Sequence, residues 1–166
     1  MAFLAIDPAR ATEIALTAPY VLIEGTYLLP ANSPLQTIED VDRDGVRIAI
    51  ARNAAYDLFL TRTLKHAQIV HAPSPSAALN LFLNERLDAV AGVRQPLLAA
   101  AEANPSLRVM EGRFMAIEQA MGTPKGREAG ARYLRGFIED MKASGFLAEA
   151  LERSGQSAKI APASTS

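Results

Sequence analysis

Residues 46–71, VRIAIARNAAYDLFLTRTLKHAQIVH, decide the fold. Their first five residues form a short β-rich apolar run, and the spacing predicts a strand over 46–50, a helix over 54–64 and a strand over 68–71. The same rhythm continues downstream, predicting a helix over 75–83, a strand over 87–91 and a helix over 94–103. Strands that alternate with helices imply crossover connections, and therefore a parallel α/β sheet covered on both faces. Ser74-Pro75 reads as a helix start: serine caps free amides and proline at the first helical position loses no donor.

Upstream of this block, residues 20–29 are apolar and β-rich, ending at Pro30, with Glu24-Gly25 marking a bulge or close backbone approach. Asn32-Ser33-Pro34 is a turn. At the front, residues 2–6 read as a short buried strand stopped by Asp7-Pro8, and a helical turn is expected over 9–15. Downstream, strands are expected over 107–110 and 114–120. A helix over 126–143 carries a stripe of Leu134, Phe137, Ile138 and Met141 at i, i+3, i+4, i+7 spacing. Gly145 ends that helix, a last helix spans 146–153, and residues 155–166 are small and polar enough for a disordered tail.

A chain of 166 residues with 49% hydrophobic residues has the size and composition of one packed domain. Its formal net charge of -1, with the two signs interspersed, provides neither a basic stripe for nucleic acid nor a polybasic helix for a membrane surface. No apolar run approaches the roughly 20 residues that span a bilayer. The absence of cysteine suits a periplasmic protein without disulfides and many cytosolic ones equally.

Several patterns suggest chemistry and fall short of it. Residues 40–45 (DVDRDG) mimic the start of an EF-hand, but the twelfth position is Ala51 where a bidentate Glu is required, so a solvated acidic turn is expected. His66 and His71 flank a strand, have no third ligand at zinc spacing, and read as surface or edge histidines. No phosphate loop or Gly-x-Ser-x-Gly elbow occurs, and no metal or cofactor is expected. Arg10, just past a strand end, offers a planar fork suited to a carboxylate, although these residues alone favour a solvated surface arginine.

The order of motifs resembles the family 3 extracytoplasmic solute-binding proteins, the periplasmic receptors of polar amino acid ABC importers. Arg10 followed by Leu16-Thr17-Ala18-Pro19-Tyr20 is similar to the family's arginine and "Phe-Ser-x-Pro-Tyr" segment. Residues 38–41 with Gly45-Val46-Arg47-Ile48-Ala49-Ile50 resemble "Asp-Leu-x-Gly-Lys-x-Val-x-Val", and Glu85-Arg86-Leu87-Asp88-Ala89-Val90 resembles "Gly-Arg-x-Asp-Ala". The resemblance implies the α/β type II periplasmic-binding fold, truncated at its N-terminus. Residues 1–25 would be a remnant of lobe 1 leading into the first hinge, 26–118 lobe 2, 119–154 the second hinge and C-terminal helices of lobe 1, and 155–166 a disordered tail.

The same resemblance implies the site. Arg10 would bind the solute's carboxylate, with Leu4 and Ala5 on the strand before it, Ala5 standing where the family has a hydroxyl. On lobe 2, Asn53, Ala54 and Ala55 replace the family's Gly-Thr or Gly-Ser, losing a hydroxyl but keeping the amides; Ser74 opens a second amide-lined niche. Val93 occupies the position of the acidic residue that pairs with a ligand ammonium, followed by Arg94. A buried ammonium without a counter-charge costs several kcal/mol, so the expected solute is a small anion lacking a free amine, with Arg10 and, on even terms with a solvated reading, Arg94 as its cations. The implied function is the solute-binding component of an ABC importer, periplasmic, closing two lobes on the solute and delivering it to a membrane permease. Two alternatives stay open: an enzyme on the same scaffold resembling cyclohexadienyl dehydratase, with Glu24 or Asp7 as acid or base, and a fragment without function.

Overall fold

The structure, a computed structural model, describes residues 2–6, 10–154 and 158–163, apart from the side chains of Phe3, Ala5 and Arg10. The chain divides into two compact units, Glu24–Ala116 and the segments before and after it. The strands β3 (Val21–Pro30) and β8 (Met115–Pro124) each carry the chain across that division.

Within the unit Glu24–Ala116, β4 (Arg47–Ala51), β5 (Gln68–Ala72) and β6 (Ala89–Val93) are parallel, with β4 in the middle. β6 pairs antiparallel with β3, whose other edge takes β7 (Leu107–Val109), also antiparallel, so the strand order is β7-β3-β6-β4-β5. Three helices make the crossovers: α1 (Asp57–Thr63), α2 (Pro75–Glu85) and α3 (Arg94–Ala103). From β4 the chain moves outward through α1 to β5, then back across β4 through α2 and on through α3. Because such crossovers share one hand, opposite directions of travel put the helices on opposite faces.

The two cores record this split. Ile48 and Ile50 of β4, Ala89 and Ala91 of β6, and Tyr27 and Leu29 of β3 face α1, where they meet Tyr56 and Leu60. The alternate residues Ala49, Val90 and Leu28 face α2 and α3, meeting Ala78, Phe82 and Leu97. Both faces are buried, which is why these strands read as nearly continuous apolar runs. α2 starts at Ser74, whose hydroxyl accepts the Ala77 amide at 3.1 Å. The acidic turn expected over 40–45 is a clasp. Asp42 accepts the amides of Lys65, His66 and Ala67 at 2.8–3.0 Å, fastening the end of α1 to the start of β4, and Asp40 accepts those of Gln36 and Thr37.

Gly25 makes the close approach expected of it, with no bulge: it stays in register opposite Val93, and a Cβ there would lie 2.6 Å from Phe114 Cε2. Phe114 lies tilted against Tyr27 at 4.8 Å between ring centres, and Tyr56 and Phe59 complete this aromatic group.

In the other unit, β8 runs antiparallel to β1 (Ala2–Ala5) and β2 (Ile14–Leu16). The helical turn expected over 9–15 is corrected here. Only Arg10–Thr12 is helical, as one 3-10 turn, and Ile14–Leu16 is a strand. Gly122 accounts for that strand: its missing side chain leaves room for Ile14 Cγ2, which would sit 2.6 Å from a Cβ. Nor is the first strand buried throughout, since Ala2 and Ile6 are exposed; Asp7 and Pro8 lie outside the described residues.

α4 (Glu128–Ala143) buries Ala131, Leu134 and Ile138, the last two packing with Met121 and Tyr20. Phe137 departs from the expected stripe, turning outward to stack on the exposed Tyr133 at 6.3 Å. α5 (Phe146–Arg153) follows a glycine at φ +78°, Gly145. The tail is corrected in part: Lys159–Ile160 forms β9, paired with Leu22 and Val21 of β3, while residues 155–157 and 164–166 lie outside the described residues.

Candidate functional site

In an open α/β sheet, ligands bind outside the carboxyl ends of the strands, where neighbouring connections leave in opposite directions. Here that point lies between β4 and β6. Six of the residues expected in the site stand on this edge: Asn53, Ala54 and Ala55 after β4, Ser74 after β5, and Val93 and Arg94 at the end of β6. Leu4, Ala5 and Arg10 belong to the other unit, and the Arg10 side chain lies outside the described residues.

Asn53 has φ +61°, the left-handed conformation that asparagine tolerates and most side chains resist. Its amide donates to Asp57 Oδ2 at 2.8 Å. The Ala54 amide closes a turn on the Ala51 carbonyl at 3.3 Å, so it is less available than the sequence implies. The Ala55 amide has no hydrogen-bond partner among the described residues, and Ala55 is exposed. This loop can therefore offer one unpartnered amide to an anion.

Ser74 is committed to capping α2, with its hydroxyl also 3.0 Å from Ser76 Oγ. Val93 is half-buried and packs against the α1-side core, so its side chain brings no charge to this edge.

Arg94 is held inward. Its Nε donates to Glu24 Oε2 at 2.8 Å, Nη1 donates to the Met110 carbonyl at 3.4 Å, and Nη2 donates to the Gly112 carbonyl. Arg113 Nη1 donates to the other Glu24 oxygen at 3.0 Å. Neither the solvated reading of Arg94 nor its reading as a free cation describes this arrangement. Glu24, only 7% exposed, lies between two guanidiniums. No signal in the sequence joins these residues, which are 70 and 89 positions apart.

A second pair also escaped the sequence. His71 is no simple edge histidine: its Nε2 donates to Asp57 Oδ1 at 2.8 Å, while Thr61 Oγ1 donates to the same oxygen at 3.3 Å. Burial pushes the Asp57 carboxyl up, but the hydrogen bonds from His71, Asn53 and Thr61 outweigh it and hold the group below the ordinary aspartate range. His66, in contrast, is exposed beside Asp44 at 3.6 Å.

No family model and no curated protein sequence matches the chain. Solved structures do. The solute receptor for L-cysteine of Neisseria gonorrhoeae is 22% identical, with a TM-score of 0.67 over 90% of this chain and 61% of that one. The amino acid ABC transporter substrate-binding protein AbpA of Streptococcus pneumoniae, bound to L-arginine, is 16% identical with a TM-score of 0.68 over 90% and 64%. An ancestral amino-acid-binding protein, a precursor of cyclohexadienyl dehydratase, is 18% identical with a TM-score of 0.68 over 90% and 64%. The chain thus spans somewhat less than two thirds of the length of these proteins. No helix among the described residues is long and apolar enough to cross a membrane. The mixed α/β architecture of this chain, with its open sheet and parallel strands, is the periplasmic-binding-protein-like fold of these amino-acid-binding proteins.

Proposed function

We propose that the chain is a solute-binding component of an ABC importer, working in the periplasm and delivering a small carboxylate-bearing solute to a membrane permease. The observation that carries this reading is the loop Asn53-Ala54-Ala55 at the switch point between β4 and β6, with an amide at Ala55 that has no partner among the described residues. The fold shared with amino-acid-binding proteins supports a binding role.

The solute proposed is an anion without a free amine. Val93 gives this edge an apolar side chain, and the buried carboxylate nearest to it in sequence register, Glu24, has both oxygens engaged by guanidiniums. With Arg94 committed to Glu24, we assign Arg10 as the cation for the solute's carboxylate. Engagement of Glu24 also weighs against the dehydratase-like alternative, because a general acid must present a proton to substrate.

The test is a thermal-shift and calorimetric screen of the L-amino acids against acetate, pyruvate, succinate and other amine-free acids. A ligand of the native state raises the melting temperature by mass action. Stabilisation by an amine-free acid, abolished by Arg10→Ala, is expected. Stabilisation by an L-amino acid alone overturns the anion assignment, and no stabilisation by any compound overturns the binding function.

A further inference from the structure

The Asn53 loop owes its shape to a residue outside it. Asp57, at the first position of α1, holds the loop at two points: Oδ2 accepts the Asn53 amide at 2.8 Å, and its own amide donates to the Ala54 carbonyl at 3.0 Å. An aspartate at a helix start commonly ties down nearby amides, and that alone would be ordinary. What is not ordinary is the third contact. His71 reaches Asp57 Oδ1 from β5, the strand beside β4, where His71 stands in register with Ile50.

With Thr61 Oγ1 on that same Oδ1, one face of the carboxylate is filled by β5 and α1, and Oδ2 is turned to Asn53. The contact is sheltered: the Asp57 and His71 side chains are 10% and 28% exposed. A carboxylate acceptor requires the N–H on Nε2, which fixes the histidine's orientation as well. The chain of contacts therefore runs from β5, through His71 and Asp57, to Asn53, a loop residue with a positive φ on this edge.

We propose that His71 is a positioning residue for solute binding: through Asp57 it holds the Asn53-Ala54-Ala55 turn in the form that leaves the Ala55 amide free for an anion. This rests on the assignment of that loop as a solute contact. Without His71 only the longer Thr61 contact holds Oδ1, so the Asn53 amide has a less firmly fixed acceptor and the left-handed turn has less to hold it.

The experiment compares wild type, His71→Leu and His71→Gln, whose side-chain amide still donates to Asp57. Amide hydrogen exchange at Asn53 is followed in the solute-free protein, and calorimetry uses succinate, L-glutamate and L-arginine as probes. Loss of one charge-assisted hydrogen bond is expected to speed exchange at Asn53 about tenfold in His71→Leu. The affinity of the best-binding probe falls by a similar factor, and His71→Gln recovers most of both. Exchange at Asn53 unchanged in His71→Leu overturns the proposal, as does probe affinity unchanged while exchange rises. If no probe binds wild type while exchange responds as expected, the assignment of the loop as a solute contact fails, and the positioning role fails with it. An Asp57→Asn variant, whose single amide oxygen cannot accept from both His71 and Asn53, provides the same comparison if His71→Leu does not fold; unchanged exchange at Asn53 in it overturns the proposal.

Discussion

Arg94 Nε lies 2.8 Å from Glu24 Oε2, joining the first residue of α3 to the central part of β3 through a carboxylate that is almost fully buried. Thr26 Oγ1, from the same strand, lies 3.2 Å from the Met110 and Gly112 carbonyls that Arg94 also contacts. The arginine thus closes a polar network inside the unit Glu24–Ala116.

Removing one partner of such a pair leaves a buried charge poorly compensated. Arg94→Met is expected to cost about 3 kcal/mol in urea unfolding, within the range for broken buried ion pairs. Arg113, whose side chain is 45% exposed, makes the weaker contact, and Arg113→Met should cost about 1 kcal/mol or less. Equal costs for the two variants would mean that burial does not set the strength of this network.

Gly25 and Gly136 make a matched pair of opposite sign. A Cβ on Gly25 would meet Phe114 Cε2 at 2.6 Å and Cζ at 2.9 Å, within the aromatic group that also includes Tyr27. Gly25→Ala is expected to destabilise by about 1–3 kcal/mol through overpacking. Gly136 is exposed within α4 and has nothing within 4 Å of a Cβ, so Gly136→Ala should stabilise by roughly 0.5–1 kcal/mol. Denaturant midpoints of the two variants check both signs.

The alternation from 46 to 103 was legible because each strand is a short apolar run bounded by turn residues, and α3 begins and ends where the sequence places it. Ile14–Leu16 was not legible, since three residues carry no usable period and their strand exists only by pairing with β8 across Gly122. Lys159–Ile160 is hidden for the same reason: two residues in a small polar tail become a strand through β3. The loop residues of the candidate site could be placed from the resemblance. Their supports could not, because Glu24 with Arg94 and Asp57 with His71 meet only once the sheet has assembled.

Asn53 tests the cost of the loop itself. Its φ of +61° is open to glycine without strain and costs a β-carbon about 1 kcal/mol when no side-chain amide compensates. Asn53→Gly should therefore leave thermal stability within a degree or two of wild type, and Asn53→Ala should lower it by about 1 kcal/mol. A loss in Asn53→Gly as large as that in Asn53→Ala would show that the Asn53 side chain, not its backbone, holds the turn.

Acid should weaken the protein through Asp42 and Asp57. Burial pushes both carboxyls up, but hydrogen bonds outweigh it: the amides of Ala67, His66 and Lys65 at Asp42, and His71, Asn53 and Thr61 at Asp57. Both groups end below the ordinary aspartate value of about 3.9. The unfolded chain therefore takes up these protons first as the pH falls. The stability they contribute is complete above about pH 4 and drains away as the pH drops through the lower folded values. Asp42→Asn removes the ionisable partner of three amides, so it should be clearly less stable than wild type at pH 7, and the gap should narrow steadily toward pH 2. Urea unfolding of the two proteins across that range provides the check; a gap that stays constant with pH would mean that the charge on Asp42 contributes nothing to the clasp on residues 65–67.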